Sequence, residues 1–435
     1  MSFRNVLVLL FVVLVSSQSQ CYNILGLFNI PSKSLHLAAI TLAKILAGKG
    51  HNVTIVTPYT YSEKHENINH IFLKESAEVN ERTFTNFFEF EVNPYMIFHQ
   101  LEVVGVENCR LTFQDTAFQR LLQSNSKFDL VIVDPYMSLS LLYFSEHFNA
   151  PILLYSSFDA SYSINPLVGN PSPPSYIPNL FLKYSSDMSF FQRLDNCFVY
   201  LMNEITLNYY SIPNHNKLVK EFFPEAPDIS EYLYKATLVL LNSDVSIMNP
   251  MPKTPGMVHI GGYHVSRPKP LPQELENVMN NAKDGVILFS LGSNIKSSQM
   301  PKSRVQEILQ VFSRLKETVI WKWEDENLPG KPANVIVRKW LPQNDILAHN
   351  KTKLFITHGG QHSILETVHY GVPCVSISVF MDQGANSYRA ANLGYAEWIP
   401  YDDFTSEKFE SAINKTLNDP RYSEMAKKTV KNITR

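Results

Sequence analysis

At 435 residues the chain is long enough for two domains with full cores. Hydrophobic residues make up 45% and charged residues 18%, an ordinary globular balance. With 38 Lys+Arg against 40 Asp+Glu and no long charge block, nothing argues for a nucleic-acid partner.

The chain opens on a targeting segment. Arg4 precedes the apolar run at residues 6–15, and Ser17-Gln18-Ser19 supplies small residues at a cleavage spacing. A signal peptide over 1–20 is expected, with the product entering the secretory pathway and residing in the lumen of the endoplasmic reticulum. Asn52, Asn350, Asn414 and Asn432 each open an Asn-x-Thr sequon. Such triplets are common by chance, and Asn52 also opens an apolar strand.

Residues 23–28 (NILGLF) read as a strand, 37–48 as an amphipathic helix stopped by Gly50, and 52–57 as a second strand. Residues 83–99 (TFTNFFEFEVNPYMIFH) are rich in aromatics. They suit either a wall for apolar ligands or a packed helix pair under a lid. Residues 128–133 (FDLVIV), a helix around 140–147 and residues 151–155 repeat the strand–helix–strand rhythm, which implies a parallel sheet. Pro and Gly then crowd residues 249–272, the composition of a linker. After it the rhythm restarts, with strand 285–290, helix 302–315 and strand 319–323.

The expected fold class is α/β, with two Rossmann-like parallel-sheet domains facing a cleft. An N-terminal domain over 21–250, a linker over 251–272 and a C-terminal domain over 273–435 are expected. Ligands bind such sheets beyond the carboxyl ends of the strands. Ser290-Leu291-Gly292-Ser293 lies at one such end, as a ligand turn or a plain strand-to-helix turn. The cysteines Cys21, Cys109, Cys197 and Cys374 lie far apart without metal spacing. One bridge is compatible with them, and free buried thiols are the expectation.

The densest signal is WLPQNDILAHNKTKLFITHGGQHSILETVHYGVPCVSISVFMDQ, residues 340–383. Residues 353–357 form a short apolar strand. His358-Gly359-Gly360 is a turn that lets backbone approach a ligand, and 361–370 can be helical until Gly371 and Pro373 stop it. Residues 375–379 make the next buried strand. A helix N-terminus after a glycine turn presents free N–H groups and a positive dipole end, which suits a diphosphate. Ser363 and Glu366 share one helix face, so Ser363 can meet phosphate while Glu366 accepts from ribose hydroxyls. Trp340 offers a flat face for a base, and Asp382-Gln383 offers acceptors and donors for a sugar.

The blocks W-x-P-Q-N-D-x-L, T-H-G-G, S-x-x-E, G-x-P and D-Q, in that order, resemble the donor-binding signature of the UDP-glycosyltransferases. The resemblance implies the GT-B architecture, with the acceptor bound by residues 21–250 and the UDP-sugar donor by residues 273–435. It implies that Trp340 stacks on uracil and Gln343 contacts the nucleoside. His358, the Gly360 backbone and Ser363 would hold the diphosphate, Glu366 the ribose, and Asp382 and Gln383 the transferred sugar. Ser290, Gly292 and Ser293 match the first donor-side turn. His362 stands where many relatives have Asn. The partners so implied are a UDP-sugar co-substrate and a small lipophilic acceptor, with no resident cofactor. No metal is implied, because no Asp-x-Asp lies on a strand end in the donor half. Residues 169–178 (GNPSPPSYIP) resemble arthropod-type members as a loop near the acceptor cleft, which leans toward glucose. Animal relatives usually continue into a membrane span and basic tail. Here no later stretch reaches the ~18–20 apolar residues of a span. The expectation is a luminal form, or an incomplete sequence of a membrane-anchored one. Oligomeric state stays open, a homo-oligomer included.

Inverting transfer to an alcohol needs a base near neutrality, usually His, and a carboxylate to orient it. In the family that His opens the first helix, sixteen residues before the His of a Gly-His pair. Gly50-His51 puts the matching position at Leu35. The partner position is Asp134, which on its own is more often a strand-end or helix-capping Asp. His36 comes one residue late, a turn of about 100° on a helix, so it serves as base only if the helix start has slipped. Three readings stay open: transfer to acceptors that need no base, weak catalysis through His36, and a non-catalytic binder of UDP-sugars or apolar ligands.

Overall fold

Two sheets form because two sets of short runs, rich in Val, Ile and Leu, are buried on both faces. The computed structural model describes residues 21–433 apart from 62, 84–85, 90–92 and 326. The expected signal peptide lies outside the described residues. The first sheet contains β1 (Asn23–Leu27), β2 (Asn52–Thr57), β3 (Ile68–Phe72), β4 (Leu130–Val133), β5 (Ile152–Ser156), β6 (Val239–Leu241) and β7 (Met257–His259), in the order β3-β2-β1-β4-β5-β6-β7. The second contains β8 (Val286–Ser290), β9 (Thr318–Lys322), β10 (Val335–Arg338), β11 (Thr352–Thr357), β12 (Cys374–Ser378) and β13 (Ala396–Pro400), in the order β10-β9-β8-β11-β12-β13. Their strand pairs are parallel.

Alternation along each strand feeds two cores. In β4, Val131 and Val133 join one apolar cluster with Phe113, Phe118 and Phe144, while Ile132 joins Ile24, Ile55 and Ala39 on the other face. In β8, Ile287 and Phe289 pack with Trp321 and Phe312, while Val286 and Leu288 pack with Phe355 and Ile364. The sheets are covered by α1 (Lys33–Gly48), α2 (Ile97–Gln114), α4 (Gln361–Tyr370), α5 (Gln383–Asn392) and α6 (Pro420–Ile433), among others, while α3 (Phe190–Thr206) packs on α2. Among the described residues no helix is long and apolar enough to cross a membrane. All four cysteines are free, Cys109 and Cys374 buried, Cys21 and Cys197 exposed.

Three departures from the sequence reading matter. The stretch expected to be linker contains β7, the edge strand of the first sheet, so that half runs to His259. Three residues are too few for alternation to show in the sequence. The first helix starts at Lys33, not 37, with Ser32 at its N-cap and the His36 N–H donating to the Ser32 carbonyl at 3.0 Å. Residues 139–147 fold as a 3₁₀ turn, Leu139–Tyr143, running into the helical turn Phe144–His147.

Register sets the two edges of the cleft. Ser290 pairs with Thr357, so the turn after β8 and the His358-Gly359-Gly360 turn lie side by side. Leu27 pairs with both Val56 and Val133, bringing the loop before α1 next to Asp134.

Candidate active site

On the donor side the His358 ring lies in a cradle of glycines. A Cβ on Gly292 would sit 2.6 Å from its Cε1, and one on Gly360 would sit 2.5 Å from its Nε2. Gly292 has φ +81°, a conformation that favours glycine, and its N–H donates to Ser290 Oγ at 3.3 Å. Burial lowers the His358 imidazole to about 3, with Lys322 and His362 adding to the effect, so it is neutral at pH 7. Lys322, at the end of β9, donates through Nζ to the Gly292 carbonyl at 2.9 Å and to Glu324 Oε1 at 2.8 Å. Sequence reasoning missed this lysine; a charged residue ending an apolar strand was the available signal.

Gly359 (φ +81°) is the tightest point. An added Cβ would meet Ser387 Oγ at 2.1 Å and Ser376 Oγ at 2.6 Å. Gly359→Ala should lose about 1–2 kcal/mol to the left-handed backbone alone, and more to the clash. A lowered urea midpoint with unchanged slope checks this.

One turn into α4, Gln343, Ser363 and Glu366 meet. Gln343 Nε2 donates to Glu366 Oε2 at 2.5 Å and to Ser363 Oγ at 3.4 Å. Burial raises the Glu366 carboxyl to about 7, against the opposing pull of the Gln343 hydrogen bond. His362 leans edge-on against His264 from the segment after β7, with ring centroids 4.6 Å apart. Trp340 stands 56% exposed at the rim, with Lys33 Nζ 5.0 Å from its ring centroid. Asp382 is buried and accepts from Asn386 Nδ2 at 2.5 Å; burial raises its carboxyl to about 6. Gln383 turns Oε1 back to accept from the Val379 and Phe380 N–H groups at 2.9 and 3.1 Å. Ser293 is half-buried in the turn after β8. Among the described residues no group of three or more His, Cys, Asp or Glu could hold a metal ion.

The N-terminal side of the cleft is apolar. Ile30, Tyr136 and Met137 form a cluster against which Leu35, Leu101, Val104, Phe158 and Met381 pack. Met137 and Met381, from opposite halves, have φ +58° and +59°. Left-handed methionines are strained, and strain of this kind gathers at functional sites. Phe87 stacks on Phe380 at 4.4 Å, and Phe88 lies 5.0 Å from Tyr401, so the aromatic tract reaches across to the donor half. Beside this cleft is a cavity of about 50 Å³, lined by Tyr162, Ile177, Tyr200, Met251, Asn386 and Arg389 among others.

Leu35 and His36 part company at the start of α1. Leu35 faces the Tyr136–Met137 cluster. His36 is 5% exposed and turns toward β2, its Nδ1 3.0 Å from Thr57 Oγ1, which also meets His70 Nε2 at 2.9 Å. Burial, then His70 and Lys33, lower it to about 4. The helix start does not bring His36 round to the position expected of a base. Asp134 is buried, with Oδ1 accepting from the Tyr136 N–H at 3.1 Å and Oδ2 from Ser157 Oγ at 2.7 Å; burial raises it to about 7.

The two halves are tied by a residue the sequence did not flag. Asn294, after the Ser290–Ser293 turn, accepts from the Lys33 N–H at 3.0 Å and donates to Ser32 Oγ at 2.9 Å.

A family model described as "UDP-glucoronosyl and UDP-glucosyl transferase" matches residues 27–431. The chain belongs to this family. This UDP-glycosyltransferase is 35% identical over 413 residues to "UDP-glycosyltransferase UGT5" of Dactylopius coccus, covering 93% of this chain and 78% of that one. It is 29% identical to human "UDP-glucuronosyltransferase 2B10", covering 90% and 77%. Among solved structures, the glycosyltransferase VinC in complex with dTDP superposes with a TM-score of 0.63 at 15% identity, covering 95% of both chains, a likeness of fold. The two parallel-sheet, Rossmann-like halves are therefore a GT-B fold, and sugar transfer from a UDP-sugar to an acceptor is the activity the family supports.

Proposed function

We propose that this UDP-glycosyltransferase moves a hexose, glucose first, with inversion from a UDP-sugar to small lipophilic acceptors, and favours amines and acidic phenols over simple alcohols. The observation that carries the donor half of this reading is the Gln343–Ser363–Glu366 group beside the glycine-cradled His358 at the α4 N-terminus. The α4 amides, with neutral His358 as a hydrogen-bond partner, would hold the diphosphate; Glu366 would hold the ribose; Trp340 would stack on the base; Asp382 and Gln383 would hold the sugar hydroxyls. Ser290, Gly292 and Ser293 would line the approach. The reaction would run without a metal, helix amides and Lys322 spreading the charge of the leaving diphosphate.

The acceptor preference follows from Leu35. A neutral amine attacks C1 with its lone pair, the C1–O bond to the diphosphate breaks, UDP leaves with that electron pair, and the ammonium sheds its proton afterwards. An alcohol must give up its proton during attack, and a leucine cannot take it. A lumenal location in the secretory pathway is part of the proposal, on the strength of the apolar run at residues 6–15.

A second reading, a UDP-sugar-binding protein without transfer, is favoured by the filled base position: Leu35 packs into the apolar cluster, and Ser157 occupies the Asp134 oxygen. UDP release, measured with UDP-glucose, UDP-galactose and UDP-glucuronic acid against amines, phenols and alcohols, separates the two. Release above hydrolysis with amines supports transfer. Donor binding by calorimetry with no acceptor-dependent release supports the binder. His36→Ala should leave amine transfer within about twofold; a parent active on alcohols that loses this on His36→Ala would reverse the assignment of Leu35 and His36.

A further inference from the structure

Asn386 and Arg389 stand one turn apart on α5, so they share a helix face, and both line the cavity beside the cleft. Arg389 Nη2 donates to Asn386 Oδ1. Asn386 is itself fixed, donating through Nδ2 to Asp382 Oδ2 at 2.5 Å and to the Gly359 carbonyl at 3.1 Å. Among the described residues Arg389 makes no other hydrogen bond, although a guanidinium carries several N–H donors in a fork that matches a carboxylate.

Its charge is also unmatched at contact range. Burial pulls the Arg389 guanidinium down from its ordinary value, and Asp159, Asp382 and the buried Tyr395 pull the other way through space. Asp382 is engaged with Asn386. Asp159 lines the cavity too, but its Oδ1 accepts from Ser243 Oγ at 2.7 Å and lies 3.5 Å from Lys253 Nζ. Among the described residues no carboxylate forms an ion pair with Arg389. A cation withdrawn from water without a contacting anion is costly, and an anion that arrives recovers that cost.

The remaining walls set what carries the anion. Phe158, Tyr162, Ile177, Tyr200 and Met251 make them largely aromatic and aliphatic, and all five come from the N-terminal half. The volume of about 50 Å³ admits a head group, not a whole acceptor. Phe158 joins the cavity to the cleft, because it also lies edge-on to Tyr136 at 5.4 Å. We propose that this cavity is a carboxylate subsite, in which Arg389 anchors the acid group of a lipophilic acceptor whose apolar body lies along Phe158 and Tyr136. The amine or phenol of the same molecule then receives the sugar; that clause rests on the sugar-transfer reading, and the anchoring does not. A uronic-acid donor sugar is the other source of a carboxylate, and the apolar walls favour the acceptor.

The test uses the purified full chain, saturated with UDP, titrated calorimetrically with an amino-naphthoic acid and with its primary amide. The parent should bind the acid about tenfold or more tighter than the amide. Arg389→Gln should abolish that preference and keep UDP affinity, the check on folding, while Arg389→Lys keeps part of the preference. Met251→Trp, which fills the cavity and leaves Arg389 in place, should abolish it too, and decides the matter if Arg389→Gln fails to bind UDP. With UDP-glucose as donor, Arg389→Gln should raise KM for the acid by about tenfold, with kcat and the constants for the amide held. Equal binding of acid and amide by the parent overturns the proposal, as does a preference that survives Arg389→Gln or Met251→Trp. An Arg389→Gln defect confined to UDP-glucuronic acid overturns it in favour of the donor sugar. Arg389-dependent binding of the acid without UDP release from any acceptor upholds the subsite and sinks the sugar-transfer reading.

Discussion

Leu35→His raises transfer to simple alcohols by about 10²–10⁴-fold, the usual worth of a positioned base. The site is prepared for it on three sides. Leu35 packs against Tyr136, two residues after Asp134, at the start of a helix whose next residue, His36, is fully occupied with Thr57. Asp134 needs only to release Ser157 to accept from a new imidazole. Its carboxyl, raised to about 7 by burial, ionises as soon as a cation forms beside it. Asp134→Asn should therefore erase the gain in the Leu35→His background and do little in the parent. Initial rates of UDP release with one alcohol and one amine across the four proteins check this. Amine rates should hardly move, and an alcohol rate unchanged by Leu35→His would sink the assignment of this position.

Glu366→Ala weakens UDP-sugar binding by roughly 1–3 kcal/mol, the cost of losing a charge-assisted partner for two hydroxyls. It also frees Gln343 to swing, because the amide loses the oxygen it bonds at 2.5 Å. The same residue sets a pH profile. The free carboxyl stands raised at about 7, and the form that accepts from the ribose is the ionised one. Affinity for UDP-glucose, whose diphosphate diester does not titrate in this range, should be full above pH 7 and fall by up to about tenfold per unit below it. Glu366→Gln should flatten that dependence. Calorimetric titrations at pH 6, 7 and 8 give both results, and a Glu366→Gln profile as steep as the parent's would assign the titration to another group.

The 340–383 stretch was legible because its chemistry-bearing residues lie at short spacing along the chain. The turn at 358–360, Ser363 and Glu366 lie within nine residues, and the structure brings them together with Gln343. The N-terminal half was legible only as strand–helix rhythm. β6 and β7 have three residues each, and β3 holds Asn69 and His70 within five, so alternation carried little signal. Lys322, Asn294 and the left-handed Met381 depend on partners far along the chain, and no local pattern announces such partners. His36 turned on where one helix begins, and the start at Lys33 directs the imidazole to β2.

That start is itself held from across the cleft. Ser32, at the N-cap, accepts from no backbone N–H of the first turn of α1, its Oγ meeting Ser34 Oγ at 3.1 Å; the Lys33 N–H is satisfied instead by Asn294 of the C-terminal half. A cap is worth about 1 kcal/mol. The first turn of α1 is therefore thermodynamically linked to domain closure: parting the halves uncaps it and loosens the residues that carry Leu35 and the Lys33–Trp340 contact, and a ligand that draws the halves together tightens them. Hydrogen exchange at the Lys33 amide becomes a gauge of how far the cleft stands open.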